Sequence, residues 1–357
     1  MPHIFSKLCK SDFSLFEEED KSMQKFYRLL GIVVLCVVML SGVSFAATPF
    51  SNVVVFGDSL SDNGNVFALS GGAYPASSHA YNGRWSNGPV WIEYLAKYLS
   101  AGLTDIAQGG ATTGDETSIP VGLQEQVADF LALASHYPTM ISDETLFVVW
   151  AGPNDFLSGG TDYLGAVDNI GIALDMLAAA GVKHLLVANM PNLGATPSLN
   201  PYPAPSEGAK LLTQAFNATL KGAVDSFKQT YTSISVYYFD VYTLFEGVIA
   251  DPQSYGFTNV TDAYVNDDDT VNDNGEIYLF WDGVHPMTLA HKLLAKKAAD
   301  FVDGASTAWY TSSGLLNIPQ VFGNGFDINY NAVLENVGTI PSDSENTYFR
   351  VKSLKIN

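Results

Sequence analysis

Five short runs of apolar, mostly β-branched or aromatic residues punctuate the chain: Asn52–Phe56, Leu103–Ala107, Leu146–Trp150, His184–Ala188 and Ile234–Phe239. Each is too short for a helix and ends abruptly in small or polar residues, which is how a buried strand reads when it leaves a sheet. Between them lie segments with apolar residues at helical spacing: Trp91–Leu99, Leu123–Ala134, Tyr163–Ala180 and Ser206–Tyr231. Gly181 closes the third of these as a C-terminal stop. A further helix is expected after Pro286, which can open one. Strands alternating with helices predict an α/β domain with a parallel sheet covered on both faces and right-handed crossovers.

Two stretches resist this pattern. Gly71–Gly88 is rich in glycine and tyrosine and too irregular for a regular element. Residues 266–276 (NDDDTVNDNGE) are acidic enough to suggest a calcium loop, but Val271 stands where an EF-hand ligand is needed, so a solvated loop is expected. Beyond residue 303 the chain is rich in Ser, Asn and Gly, and is expected to wrap irregularly on the domain or to be partly mobile. It is too short for a transmembrane barrel, which needs about eight strands of roughly ten residues.

The N-terminus changes the picture of where the domain begins. Lys21, Lys25 and Arg28 precede an apolar run from Leu29 to Leu40, and Ser44-Phe45-Ala46 offers the small residues of a signal-peptidase site. The run is short for a membrane span. Cleavage after Ala46 is expected, with Met23 as a candidate start and an uncleaved anchor as the alternative. The domains are therefore read as 1–46 (extension and signal peptide), 47–303 (the α/β domain) and 304–357 (an extension of unknown role). Cleavage would remove Cys9 and Cys36, leaving a mature chain with no thiol or disulfide. It would also remove five basic and five acidic residues, so the formal net charge of −20 would persist. That charge argues against nucleic acid as a partner and against electrostatic docking on anionic membranes, though not against transient apolar contact with a membrane or micelle. The expected location is periplasmic or secreted, in a bacterium.

Chemistry enters at the first strand end. Asn52–Asn65 (NVVVFGDSLSDNGN) places Ser59 just past the carboxyl edge of the sheet, where open α/β sheets bind ligands. It is either a nucleophile or a helix cap. A serine needs a base, and Asp282-Gly283-Val284-His285-Pro286 offers one: three residues across a turn can return the carboxylate to the imidazole, fixing its tautomer. Alone, Asp-x-x-His could equally be a capping Asp beside a surface His. An oxyanion needs donors, and the Ser59 and Gly110 N–H groups and the Asn154 amide could supply them. Gly110 and Asn154, like Ser59, fall just past strand ends, and in a parallel sheet those ends share one edge. After Ser59 come Phe67, Tyr81 and Trp85, which could line an acyl pocket or form a lid, or simply pack in the core.

Together these blocks resemble the GDSL, or SGNH, hydrolases. Gly57-Asp58-Ser59-Leu60-Ser61-Asp62 is similar to the family's first block, Gly109-Gly110-Ala111-Thr112 to the second, Gly152-Pro153-Asn154-Asp155 to the third, and Asp282–Pro286 to the Asp-x-x-His block, in family order. Residues 82–89 (NGRWSNGP) and 255–263 (YGFTNVTDA) resemble the long-chain branch, which includes plant-type lipases and bacterial lysophospholipases. Tyr264 stands where a Cys often follows, so the disulfide-tied loop of some members is not expected here. The resemblance implies a three-layer α/β/α fold with a five-stranded, mostly parallel, flavodoxin-like sheet. It implies ester hydrolysis with Ser59 as nucleophile, His285 as base then acid and Asp282 as orienter. Ser59, Gly110 and Asn154 would form the oxyanion hole, with no metal and no organic cofactor. The expected substrate is a lipid acyl ester, lysophospholipid or phospholipid, with acyl transfer to an alcohol possible through the same intermediate. A carbohydrate O-acetyl esterase and a non-catalytic surface binding protein are the alternatives.

Overall fold

The computed structural model describes residues 50–303, together with strand segments at 309–310, 316–317, 330–338 and 348–356. The expected signal peptide and both cysteines lie outside the described residues. Five strands, β1 (Asn52–Gly57), β2 (Gly102–Asp105), β3 (Thr145–Trp150), β4 (His184–Ala188) and β5 (Ser235–Phe239), form one sheet in the order β2-β1-β3-β4-β5. All its pairs are parallel. This is the flavodoxin-like order, in which the chain reverses its direction of winding between β1 and β3; ligands of such sheets bind outside the strand ends at that point.

The period of two along β1 divides the core. Val53 and Val55 face one layer, with Trp91, Ile92 and Leu95 of α2 (Trp91–Tyr98) and Leu294 and Ala298 of α8 (Thr288–Val302). Val54 and Phe56 face the other, with Phe130 of α3 (Leu123–His136), Ile170 and Leu174 of α5 (Tyr163–Ala179) and Phe216 and Leu220 of α6 (Pro203–Thr230). Both faces of every central strand are buried, which is why β3 reads as an unbroken apolar run without alternation. Fully burying each large apolar side chain contributes about 1.5–3 kcal/mol.

Several elements were not anticipated. Two short helices, α1 (Asn65–Leu69) and α4 (Pro153–Leu157), follow the turns after β1 and β3. Helix α7 (Val241–Ala250) follows β5 with a single residue between, Asp240, whose carboxylate accepts the Thr243 N–H as a cap. Strands β6 (Asn259–Ala263) and β7 (Tyr278–Phe280) form a small parallel pair. Residues 330–338 and 348–356 pair antiparallel, where an irregular tail was expected; Val333, Val337, Tyr348, Phe349, Val351 and Ile356 favour extended backbone.

The acidic loop is not simply solvated. Asp269 accepts from the Ser77 and Ser78 hydroxyls, each at 2.6 Å, and from the Ser78 N–H, and these bonds hold its carboxyl down at about 2. Asp268 is taken up locally by the N–H and hydroxyl of Thr270. The loop after the candidate nucleophile is thus fastened to the acidic loop.

Candidate active site

The strand end that carries Ser59 is set by backbone geometry. At Gly57, φ is +154°, and a Cβ there would sit 2.1 Å from the Trp150 carbonyl oxygen of β3, so only glycine fits. Buried Gln126 of α3 completes the bonding: its amide donates to the Gly57 carbonyl and accepts the Gly57 N–H, both at 2.9 Å. The chain then turns sharply, with the Ser61 and Asp62 N–H groups both donating to the Asp58 carbonyl.

His285 reaches Ser59 from a loop 226 positions away. That loop closes on itself through Trp281 N–H to His285 O and Met287 N–H to Leu279 O. Its Nε2 lies 2.8 Å from the Ser59 Oγ, and its Nδ1 lies 2.8 and 3.0 Å from the two Asp282 oxygens. Asp282 Oδ1 also accepts the N–H groups of Val284 and His285. Burial pushes the Asp282 carboxyl up, but the adjacent His285 and these N–H groups outweigh it, and the net shift is downward. An ionised Asp282 only accepts, so Nδ1 carries the imidazole proton and Nε2 presents a lone pair to the serine hydroxyl.

The two other strand ends converge on the same place. Gly110 adopts φ of +90° in the turn after β2. Its N–H and that of Ser59 have no acceptor among the described residues. Asn154, on α4, donates from Nδ2 to the Ala111 carbonyl at 2.9 Å, which leaves its second N–H available. Asp155 ties the two loops by accepting the Thr113 N–H at 3.1 Å and hydroxyl at 2.7 Å. The structure therefore brings together all five residues singled out for chemistry.

Beside them opens a narrow cleft that includes Ser59 and His285 among its walls. The walls are otherwise largely apolar: Leu60, Leu157, Leu193, Phe245, Ile249 and Phe280. Phe67, Tyr81 and Trp85 are absent from them. Phe67 is 39% exposed and packs on Gly83; Tyr81 is 43% exposed and lies under Arg84. Trp85 does reach the site, stacked against Gly109 and tilted on the His285 ring at 6.2 Å. The residues that form the cleft were missed because each reads as ordinary core; the Phe245/Ile249 pair, four apart on α7, would have been visible had that helix been recognised.

Asp58 also lines the cleft. It is 1% exposed, with Oδ1 accepting the Leu60 N–H and no partner for Oδ2 among the described residues. Burial pushes its carboxyl up to about 7, and Asp155 and Asp62 push the same way against the Leu60 N–H and His285.

Three strand ends thus converge on a serine–imidazole–carboxylate chain at the switch point of a 2-1-3-4-5 sheet, in a fold of the α/β/α hydrolase class. The family model for GDSL-like lipase/acylhydrolase matches residues 53–298, and the chain belongs to that family. It is 30% identical over 264 residues to the thermolabile hemolysin of Vibrio parahaemolyticus serotype O3:K6, covering 69% of this chain and 62% of that protein's length. It is 27% identical over 338 residues to the phosphatidylcholine-sterol acyltransferase of Aeromonas hydrophila, covering 78% of this chain and 96% of that one. The acetylesterase of Thermothelomyces thermophilus is 26% identical over 278 residues, covering 71% and 88%. As a GDSL hydrolase, the chain is an ester-hydrolysing enzyme.

Proposed function

We propose that this enzyme is exported and cleaves the acyl esters of lipids, phospholipid or lysophospholipid, through Ser59, His285 and Asp282. Ser59 Oγ attacks the ester carbonyl as His285 Nε2 takes its proton. The carbonyl oxygen gains negative charge and is received by the Ser59 and Gly110 N–H groups and the free Asn154 N–H. The imidazolium, stabilised by Asp282, returns the proton to the departing alcohol, leaving an acyl-enzyme. Water then attacks, giving up a proton to His285, and the acid leaves as Ser59 recovers its hydroxyl. An alcohol in place of that water gives acyl transfer.

The observation that carries the lipid reading is the apolar cleft opening on Ser59 and His285. An acyl chain suits such walls, which contribute roughly 0.8 kcal/mol per buried methylene, and two relatives named for haemolysis and phosphatidylcholine chemistry support it. The test is a chain-length series of p-nitrophenyl esters beside lysophosphatidylcholine and an acetylated sugar. The ratio kcat/KM should climb with chain length and lysophosphatidylcholine should be cleaved. Turnover confined to acetyl groups would favour a carbohydrate O-acetyl esterase, and no turnover a binding protein. Export rests on the N-terminal charge and hydropathy pattern; N-terminal sequencing of the mature protein should read from Ala47, and an intact N-terminus would refute cleavage.

A further inference from the structure

Asp62, three residues after Ser59, is 0% exposed, yet it carries a carboxylate. Its oxygens accept four backbone N–H groups. Oδ1 takes those of Gly64 and Asn65, and Oδ2 takes those of Val66 at 3.2 Å and Gly109 at 2.8 Å. The first three are local and do the work of a helix cap on α1. The fourth belongs to a different strand end, 47 positions away. Gly109 is held from its other side as well, since a Cβ there would meet the Trp85 ring at 2.1 Å. The turn is therefore clamped between a carboxylate and an indole, and the N–H that follows, that of Gly110, has no acceptor among the described residues. The same two loops are stitched further along by Asn63 N–H to Asp105 and by the Asn65 amide to the Asp105 and Ala107 carbonyls.

We propose that Asp62 is a positioning residue for the oxyanion-binding turn: by anchoring the Gly109 N–H to the loop that carries Ser59, it fixes the Gly110 N–H relative to the nucleophile. This rests on the reading of Ser59 as nucleophile. A cap alone would not need a carboxylate, because Asn caps helices about as well as Asp. The strap does need one: all four bonds are donated to Asp62, so both oxygens must accept. An amide in that place sets an NH2 group against two backbone donors, whichever way it is turned. Burial pushes the Asp62 carboxyl up, and the four N–H groups oppose that shift. The role differs from that of Asn154, which itself offers a donor to the substrate.

The test compares Asp62→Asn and Asp62→Ala with wild type and with Ser59→Ala, by kcat and KM on a p-nitrophenyl ester and by the rate of inactivation with an alkyl p-nitrophenyl phosphonate. The phosphonate forms a tetrahedral adduct on a serine and so reads the oxyanion donors. Asp62→Ala should lower kcat and the inactivation rate together by about 10- to 100-fold, with KM within about threefold of wild type, the pattern of an interaction made only in the transition state. A folded Asp62→Ala variant with kcat near wild type overturns the proposal, as does a rise in KM with kcat unchanged. Amide hydrogen exchange on the unsubstituted protein keeps the question open to decision if neither variant folds. The Gly109 N–H should be protected, and the Gly110 N–H should gain protection only when Ser59 is phosphonylated; protection of Gly110 that the adduct does not change overturns the proposal. Turnover by Ser59→Ala would instead overturn the underlying site assignment.

Discussion

Asp58 offers a way to test the electrostatics of the site through stability. Its carboxyl is pushed up to about 7 by burial from an ordinary 3.8, and its Oδ2 has no partner among the described residues. The folded form therefore binds the proton more tightly than the unfolded chain. The associated stability is fully present below the unfolded pKa and is lost as pH rises through the folded one. Taking the protonated share of each form at about pH 5 and about pH 8, the loss across that interval is about 2–3 kcal/mol. Asp58→Asn keeps an oxygen for the Leu60 N–H and removes the titration. Its amide has its own cost, but that cost is the same at both pH values. Asp62, Asp105 and Asp155, which burial also raises, remain in both proteins and largely cancel. Urea unfolding of wild type and variant at the two pH values should show the wild type losing about 2–3 kcal/mol more than the variant on going to the higher pH. Parallel pH dependences in the two proteins would mean that Asp58 is ionised in the folded state, and would refute the reasoning.

Asp282→Asn should keep the fold and cut kcat by about 10⁴, as expected when the imidazole tautomer is mis-set; a variant within tenfold of wild type on a p-nitrophenyl ester would mean another group orients His285. Phe245→Trp should fill part of the cleft from α7 and reduce kcat/KM on long-chain esters by at least about tenfold while sparing acetyl and butyryl esters; an equal effect on every chain length would place the acyl group elsewhere. Gln126→Ala strands the buried Gly57 N–H, while the Gly57 carbonyl keeps the Gln108 N–H, so thermal unfolding should report a loss of about 1–3 kcal/mol; an unchanged midpoint would contradict the bonding seen at the strand end.

What could be read in advance follows from physics that acts locally. The central strands were legible because a strand buried on both faces is apolar throughout, and β3 with its six buried residues is the clearest case; the edge strands β2 and β5 are only partly buried and carry a weaker signal. Ser59, Gly110 and Asn154 were legible because strand ends in a parallel sheet share an edge. The cleft was not, because its walls come from segments scattered along the chain and each wall residue is apolar, as core residues are. Phe67 and Tyr81 were expected there on nearness in sequence to Ser59. The loop that follows Phe67 instead runs away to Asp269, which holds Ser77 and Ser78. Asp240 and α7 went unread because one capping residue replaced the turn that ordinarily announces a helix. The clamp at Asp62 joins two loops through backbone N–H groups, which every residue but proline carries, so no residue type marks Gly109 as its partner.

The long separation of Ser59 and His285 has a consequence for how the enzyme comes into being. The sheet is complete at Phe239, but His285 is supplied by the loop after β7 and is held where α8 packs beside α2. On the proposed mechanism, a ribosome that has released all five strands has made the nucleophile and its oxyanion donors but not His285. On that mechanism the chain is chemically silent through most of its synthesis, and turnover waits for α8.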